Sequence, residues 1–295
     1  MKETTMKPLL SYYGRKKRIG SKILQYFPPH KIYVEPFAGG ATLLFLKPLP
    51  TVTNQCDYRE CINDTSNLLI NLYRVAKKYP IELNNEIQAT LYSQSEHNKA
   101  KIICKNPTKY SDIELAWAYY INITQGFSYR LNAGWSTSKI SRSPSATFIA
   151  KKTRLSEALE RLEKVYISCE DAIKCIERWD SPDTLFYCDP PYPGSTQGHY
   201  SGYTIKDWTK LCHTLDCITG NYIVSNYHQM IEPQSFTQKI EINTVMSASH
   251  KKDVKKKRTE VLWVKSNLDG FNQLPGLINS EVYNCLLNTW GQPKP

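Results

Sequence analysis

The chain has 295 residues, of which 41% are hydrophobic and 22% charged, an ordinary balance for a globular protein with a sizeable core. No window of eighteen apolar residues suggests a membrane span. The amino terminus, MKETTMKPLLSYYGRKK, lacks the apolar stretch that precedes a signal cleavage site, so the expected location is the cytoplasm. A net charge of +11 points to a polyanionic partner, because Lys and Arg neutralise phosphates and release counterions.

Nine cysteines are scattered along the chain. The pairs Cys56/Cys61 and Cys212/Cys217 have no companion His or Cys at metal-ligand spacing, so reduced thiols and no metal site are expected. In chain order, RIGSKILQYF (18–27) has apolar residues at helical spacing and stops at Pro28-Pro29. KIYVEPF (31–37) reads as a strand, and AGGATLLFL (38–46) supplies two glycines where that strand would turn into a helix. INDTSNLLINLYRVAKKY (62–79) then places Asp64 ahead of a helical apolar pattern. A strand, a glycine loop, a helix and an acid some way on are the layout of a nucleotide-binding half.

Residues 78–160 are polar, rich in lysine and tyrosine, and carry the loop NAGWSTSKISRSPS; they read as an inserted, mainly helical domain. From about Lys164 the alternation of strand and helix returns: KVYISCE, DAIKCIERW, TLFYCD, TIKDWTKLCHTLDCITG, NYIVSNY and TEVLWVKSN. Thr204 and Asp207 fit a capping box at the start of the second of these helices. The expected fold is α/β, a doubly wound Rossmann-like sheet with parts 1–77 and 161–295 interrupted by the helical insert 78–160.

The stretch CDPPY (188–192) ends an apolar strand with an acid, two prolines and an aromatic ring. Two prolines fix φ and remove two N–H donors while leaving carbonyl acceptors, so Asp189 to Tyr192 form a stiff loop rich in acceptors, at the sheet edge where ligands bind in such folds.

With YYGRKK (12–17), EPFAGG (35–40) and CDPPY in this order, the chain from about Leu9 to Lys265 resembles the Dam-like DNA adenine-N6 methyltransferases. The resemblance implies a methyltransferase sheet, S-adenosylmethionine as cofactor, and methylation of the exocyclic N6 of adenine in double-stranded DNA. It implies that Tyr12, Gly14 and Lys16 line the cofactor, that Glu35, Phe37, Ala38 and Gly39 surround its methionine and adenine parts, that Asp64 holds the ribose, and that Asp171 lies near the adenine. Arg15 departs from the family pattern, which has glycine or a small residue there. From the residues alone, Gly39-Gly40 also suit a plain turn, Asp64 and Asp171 also suit helix caps, and Phe37 also suits a core.

The same resemblance gives the CDPPY motif its chemistry. The lone pair of an adenine amine is delocalised into the ring, and two acceptors, the Asp189 carboxylate and the Pro190 carbonyl, would localise it and aim it at a methyl carbon for one in-line transfer. Pro191 and Pro190 would hold the acceptors still, and Tyr192 would stack on the flipped base. Asp in the first position favours adenine in DNA, whereas Ser is usual in cytosine-N4 enzymes of the wider family. In the insert, Tyr129, Arg130 and Asn132 are candidate DNA contacts, and the tract HKKDVKKKR (250–258) offers Lys255, Lys256 and Lys257 to phosphates. A cognate restriction endonuclease is a candidate companion, and a monomer without membrane attachment is expected. The alternatives are a cytosine-N4 or RNA methyltransferase, and a non-catalytic nucleic-acid-binding protein retaining the fold.

Overall fold

A computed structural model describes residues 6–10, 16, 19–48, 58–139, 143–153, 155–193, 202–245 and 257–267. The elements run α1 (Gly20–Leu24), β1 (Ile32–Glu35), α2 (Thr42–Leu46), β2 (Arg59–Asn63), α3 (Asn67–Lys78), α4 (Pro80–Ala89), α5 (Gln94–Lys105), α6 (Asp112–Gln125) and α7 (Pro144–Lys152). They continue with α8 (Leu155–Arg161), β3 (Val165–Ser168), α9 (Ala172–Trp179), β4 (Thr184–Cys188), α10 (Ile205–Cys217), β5 (Asn221–Asn226), β6 (Gln238–Val245) and β7 (Lys257–Lys265). The seven strands form one sheet in the order β3-β2-β1-β4-β5-β7-β6.

The chain moves outward from β1 to β3 and returns to place β4 beside β1, so the sheet is doubly wound with its order reversing between β1 and β4. Strands β1, β4 and β5 are parallel, whereas β7 is antiparallel to both β5 and β6. All five residues of β4 are buried, as expected of a strand with a neighbour on each side, and Pro190 cannot continue its ladder. Each strand anticipated from the apolar runs is present, and β2, RECIN, and β6, QKIEINTV, are additions.

Two compact units divide the chain, one comprising 1–16, 38–48 and 62–170, the other 17–37, 49–61 and 171–295. In the first, α6 is buried along every residue from Leu115 to Gln125 and packs against α3, α4, α5 and α7. A helix that is apolar all round belongs at the centre of a bundle. Its start is fixed by a capping box in which Ser111 and Glu114 each bond the other's backbone.

In the second unit, Val34, Phe186, Tyr222, Val224 and Trp263 on one sheet face pack against Cys175 and Ile176 of α9 and Trp208, Leu211 and Leu215 of α10. The rings of Trp208 and Trp263 lie 5.8 Å apart, and Trp208 Nε1 donates to the Ile231 carbonyl at 2.7 Å. Removing roughly 200 Å² of indole surface at about 25 cal/mol per Å² contributes about 5 kcal/mol before ordering costs, which ties β7 firmly into the sheet. Thr204 and Asp207 form the capping box expected at the start of α10, and Asp171 caps α9.

Candidate active site

In the first unit, the turn after β1 is held at three points, two of them by side chains. Gly39 adopts φ +47°, a conformation that costs a residue with a Cβ about 1–2 kcal/mol. Its N–H donates to Asp64 Oδ2 at 3.0 Å, and its carbonyl accepts the Tyr73 hydroxyl at 2.8 Å. The N–H of Ala38 donates to the Asn63 carbonyl at 2.8 Å. The second Asp64 oxygen, Oδ1, accepts the Ser66 N–H at 2.9 Å, and Ser66 rather than Asp64 caps α3. Asp64 is 3% exposed. Its carboxylate therefore joins the glycine turn to the start of α3. Asn63 extends this frame, accepting Ser168 Oγ at 2.9 Å and the Glu170 N–H at 3.0 Å.

In the second unit, the parallel strands β1, β4 and β5 bring Glu35, Asp189 and Asn226 to the same sheet edge. Glu35 is buried and accepts the Tyr33 hydroxyl at 2.9 Å; burial and this carboxylate push Tyr33 well above the usual tyrosine range. Side chains alternate across a strand, so Tyr187, Asp189 and Ser225 share one face, opposite the face that carries Trp263. Asp189 Oδ1 accepts the Ser225 hydroxyl at 3.2 Å, and Ser225 Oγ lies 3.3 Å from the Tyr187 hydroxyl.

Pro190, Pro191 and Tyr192 are buried. The Tyr192 hydroxyl lies 3.1 Å from Asp189 Oδ1 and donates to Glu260 Oε1 of β7. Its ring meets Tyr227 edge to face, with centroids 4.6 Å apart at 81°. Burial, followed by the Asp189 and Glu260 charges, raises Tyr192 well above the usual tyrosine range and keeps its hydroxyl protonated.

Two polar atoms near this edge are buried with no hydrogen-bond partner among the described residues: Asn226 Nδ2 and the Tyr203 hydroxyl. The Tyr203 ring stands perpendicular to Phe37 at 6.3 Å, and Asp171 is among the charges that raise Tyr203 after burial itself. Asp171 Oδ1 accepts the N–H groups of Ile173 and Lys174 at 3.1 and 3.4 Å.

Beyond α6 the backbone folds back sharply, with Gly126 bridged to Trp135 and left-handed φ at Ser128, Tyr129 and Asn132. The Asn132 N–H donates to Asn122 Oδ1 at 2.9 Å, and Asn122 Nδ2 donates to Asn132 Oδ1 at 3.2 Å. Lys151 Nζ sits 3.9 Å above the Tyr129 ring. Arg130 is half-buried and Lys16 is buried. Tyr12, Gly14, Lys255 and Lys256 lie outside the described residues, and Lys257 opens β7 opposite Val245.

Sequence reasoning missed Glu260, Ser225, Tyr187 and Tyr203. For Glu260 a signal was present, since it is an acid leading directly into the apolar run VLWV. Among the described residues no His, Cys, Asp and Glu group could hold a metal, and no helix is long and apolar enough to cross a membrane.

A doubly wound sheet ending its central strand in a half-buried acid, two buried prolines and a buried tyrosine defines a Rossmann-like methyltransferase. More particularly, the model of the D12 class of N6 adenine-specific DNA methyltransferases matches residues 12–216, well over half of the chain, and the protein belongs to that family. It is an adenine-specific DNA methyltransferase; DNA is its substrate, and it requires a methyl donor. No curated protein matches the chain. Two solved structures of the rRNA methyltransferase aviRa from Streptomyces viridochromogenes are similar to it at 12% identity over 84% of each chain, with a TM-score of 0.35.

Proposed function

We propose that the protein transfers a methyl group from S-adenosylmethionine to N6 of an adenine flipped out of double-stranded DNA, with Asp189 and the Pro190 carbonyl as the acceptors of the amine hydrogens. The observation that carries this is the Asp189 carboxylate at the end of β4, with Ser225 bonded to its Oδ1 and Tyr192 in contact with the same oxygen. A carboxylate fixed on one side can direct the nitrogen lone pair without spending energy on reorganisation during reaction. Pro190 and Pro191, buried and of fixed φ, keep the neighbouring carbonyl in place.

The chain's residues fit the proposed cofactor. Phe37 and Tyr203 form an aromatic corner whose hydroxyl has no partner among the described residues, which suits a purine nucleoside, and the turn at Gly39 presents backbone with no Cβ in the way. When bound, S-adenosylmethionine supplies an electrophilic methyl on a sulfonium. Lys16, Glu35, Phe37, Ala38, Gly39 and Asp171 would hold it, together with Tyr12 and Gly14. Asp64 would act there by fixing the Gly39 N–H and, through remaining carboxylate lone pairs, by accepting from the ribose.

The insert 78–160 would recognise the target sequence, with Tyr129, Arg130 and Asn132 on its folded-back loop, while Lys255, Lys256 and Lys257 add affinity without sequence preference. Tyr192 would receive the flipped base with its ring. A monomer acting in the cytoplasm, paired with a cognate restriction endonuclease, completes the proposal.

The test is Asp189→Ala on unmethylated plasmid DNA, with N6-methyladenine measured by mass spectrometry. Methyl transfer is lost while cofactor binding and duplex affinity persist; retained turnover overturns the assignment.

A further inference from the structure

Glu260 takes no part in aiming the amine at the methyl group, yet it is a carboxylate inside the sheet, 5% exposed. Ser225 pairs with Leu262 across the β5–β7 ladder, and Glu260 stands two residues from Leu262, so it lies on the same face as Ser225 and Asp189. Asp189 and Glu260 therefore reach a single hydroxyl, that of Tyr192.

That hydroxyl carries one hydrogen. Glu260 is the closer acceptor, and the 3.1 Å separation from Asp189 Oδ1 lies beyond the usual O–H···O range of about 2.5–3.0 Å. The hydrogen points at Glu260, and a lone pair of the Tyr192 oxygen faces Asp189. This polarity suits a proton travelling from Asp189 toward Glu260.

The reaction supplies such a proton. Once the new N–C bond forms, the adenine nitrogen has four bonds and a positive charge, and it must lose one hydrogen to become N6-methyladenine. We propose that Glu260 is the final acceptor of that proton, reached through Asp189 and Tyr192; the relay rests on the assignment of Asp189 made above. The N–H bond breaks with its electron pair staying on nitrogen, and the proton bonds to Asp189 Oδ1. As Asp189 gives it to the Tyr192 oxygen, the original Tyr192 hydrogen passes to Glu260 Oε1. Asp189 is again a carboxylate, Tyr192 is again neutral, and Glu260 releases the proton to water between turnovers.

The titratable groups around Glu260 among the described residues are Tyr192 and Asp189 on the loop after β4, with Tyr187 behind Ser225 and Tyr227 against the Tyr192 ring. From β6 the opposite residue is Ile242, which carries no charge. Ser225, a hydroxyl donor to the same Asp189 oxygen, keeps the carboxylate oriented during the exchange.

The test is the single-turnover methylation rate of Glu260→Gln on unmethylated plasmid DNA across a pH series. The relay predicts a rate lower by roughly a hundredfold with KM for DNA and methyl donor unchanged. It also predicts that the acid limb of the profile moves to lower pH, because Asp189 has lost a like-charged neighbour. Glu260→Asp, which keeps the charge, leaves the limb in place. Tyr192→Phe shows the same loss as Glu260→Gln, and the double variant is no slower than either. A Glu260→Gln rate within twofold of the parent, or an acid limb that does not move, overturns the relay. Should Glu260→Gln fail to fold, Tyr192→Phe decides: full rate overturns the relay and a hundredfold loss supports it. Asp189→Ala is measured alongside. If it is inactive while Glu260→Gln is unimpaired, only the relay falls; if it is active, the reading beneath the relay falls too.

Discussion

Replacing Asp64 by Asn keeps the side chain's shape and removes its charge, and it exchanges one acceptor oxygen for an NH2 group that cannot accept. Both Asp64 oxygens take a backbone N–H, from Gly39 at 3.0 Å and from Ser66 at 2.9 Å, so one of these bonds must be lost. A bond to a charged group contributes about 1.5–3 kcal/mol, and a stranded buried N–H costs about 1–3 kcal/mol. Local opening of the turn should become easier by about 3 kcal/mol, which is roughly a hundredfold in the opening equilibrium. Hydrogen exchange read by mass spectrometry on peptides covering Gly39 and Ser66 measures this directly. The expected result is exchange about a hundredfold faster in one of the two peptides, with weaker affinity for the methyl donor. Tyr73→Phe removes only the donor to the Gly39 carbonyl and should accelerate exchange far less, by about tenfold. Unchanged exchange in Asp64→Asn would refute the idea that the carboxylate holds the turn, even if donor affinity fell.

Three further outcomes are expected. A Cβ at Gly126 would stand 2.6 Å from the Asn122 carbonyl and 2.9 Å from the Arg130 carbonyl, both backbone, so Gly126→Ala should cost about 1–3 kcal/mol in urea unfolding and weaken DNA binding. Unaltered DNA affinity would separate the loop at 126–136 from the interface. Burial pushes the Cys104 thiol up to about 11 and the Cys212 thiol up to about 12, from 9.0. The folded state then keeps protons that the unfolded state releases, so stability is complete below about pH 9 and declines as pH rises toward 11 and 12; equal urea midpoints in reducing buffer at about pH 8 and pH 10.5 would refute this. Neutralising Lys255, Lys256 and Lys257 together should reduce the slope of log affinity against log salt by up to about 3 if each meets a phosphate, and an unchanged slope removes the tract from the interface.

The parallel strands were legible because both of their faces are covered, so IYVE, TLFYC and NYIVSN appear as short apolar runs that need no partner to be recognised. Caps were equally local: Asp171 and the Thr204–Asp207 pair bond backbone within three residues of themselves. Strand β2 was not legible, since RECIN opens with two charged residues and becomes a strand through its neighbours in the sheet. The acid of the Asp-Pro-Pro-Tyr loop could be found from adjacent residues alone. Its supports could not, because Ser225 reaches it from 36 positions away and Glu260 reaches Tyr192 from 68, through the pairing of β4, β5 and β7. Alternation says which residues of VLWV share a face; only the register against β5 says that this face meets Asp189. Asp64 shows the same limit in another form. Its position ahead of a helical apolar pattern suggested a ligand contact, whereas its bonds to Gly39 and Ser66 depend on the path of two loops.

The sheet order also has a consequence for how the protein is made. Strand β6 is synthesised before β7 but lies outside it, at the margin of the sheet, where among the described residues its ladder is with β7 alone. While the ribosome is still decoding the segment between them, β6 has no template to dock on, and β5 offers an open flank. Pairing of β7 with β5 closes that flank, gives β6 its partner and brings Glu260 to the Tyr192 hydroxyl. A nascent chain thus brings Glu260 to the Tyr192 hydroxyl only after β7 has been translated and paired with β5.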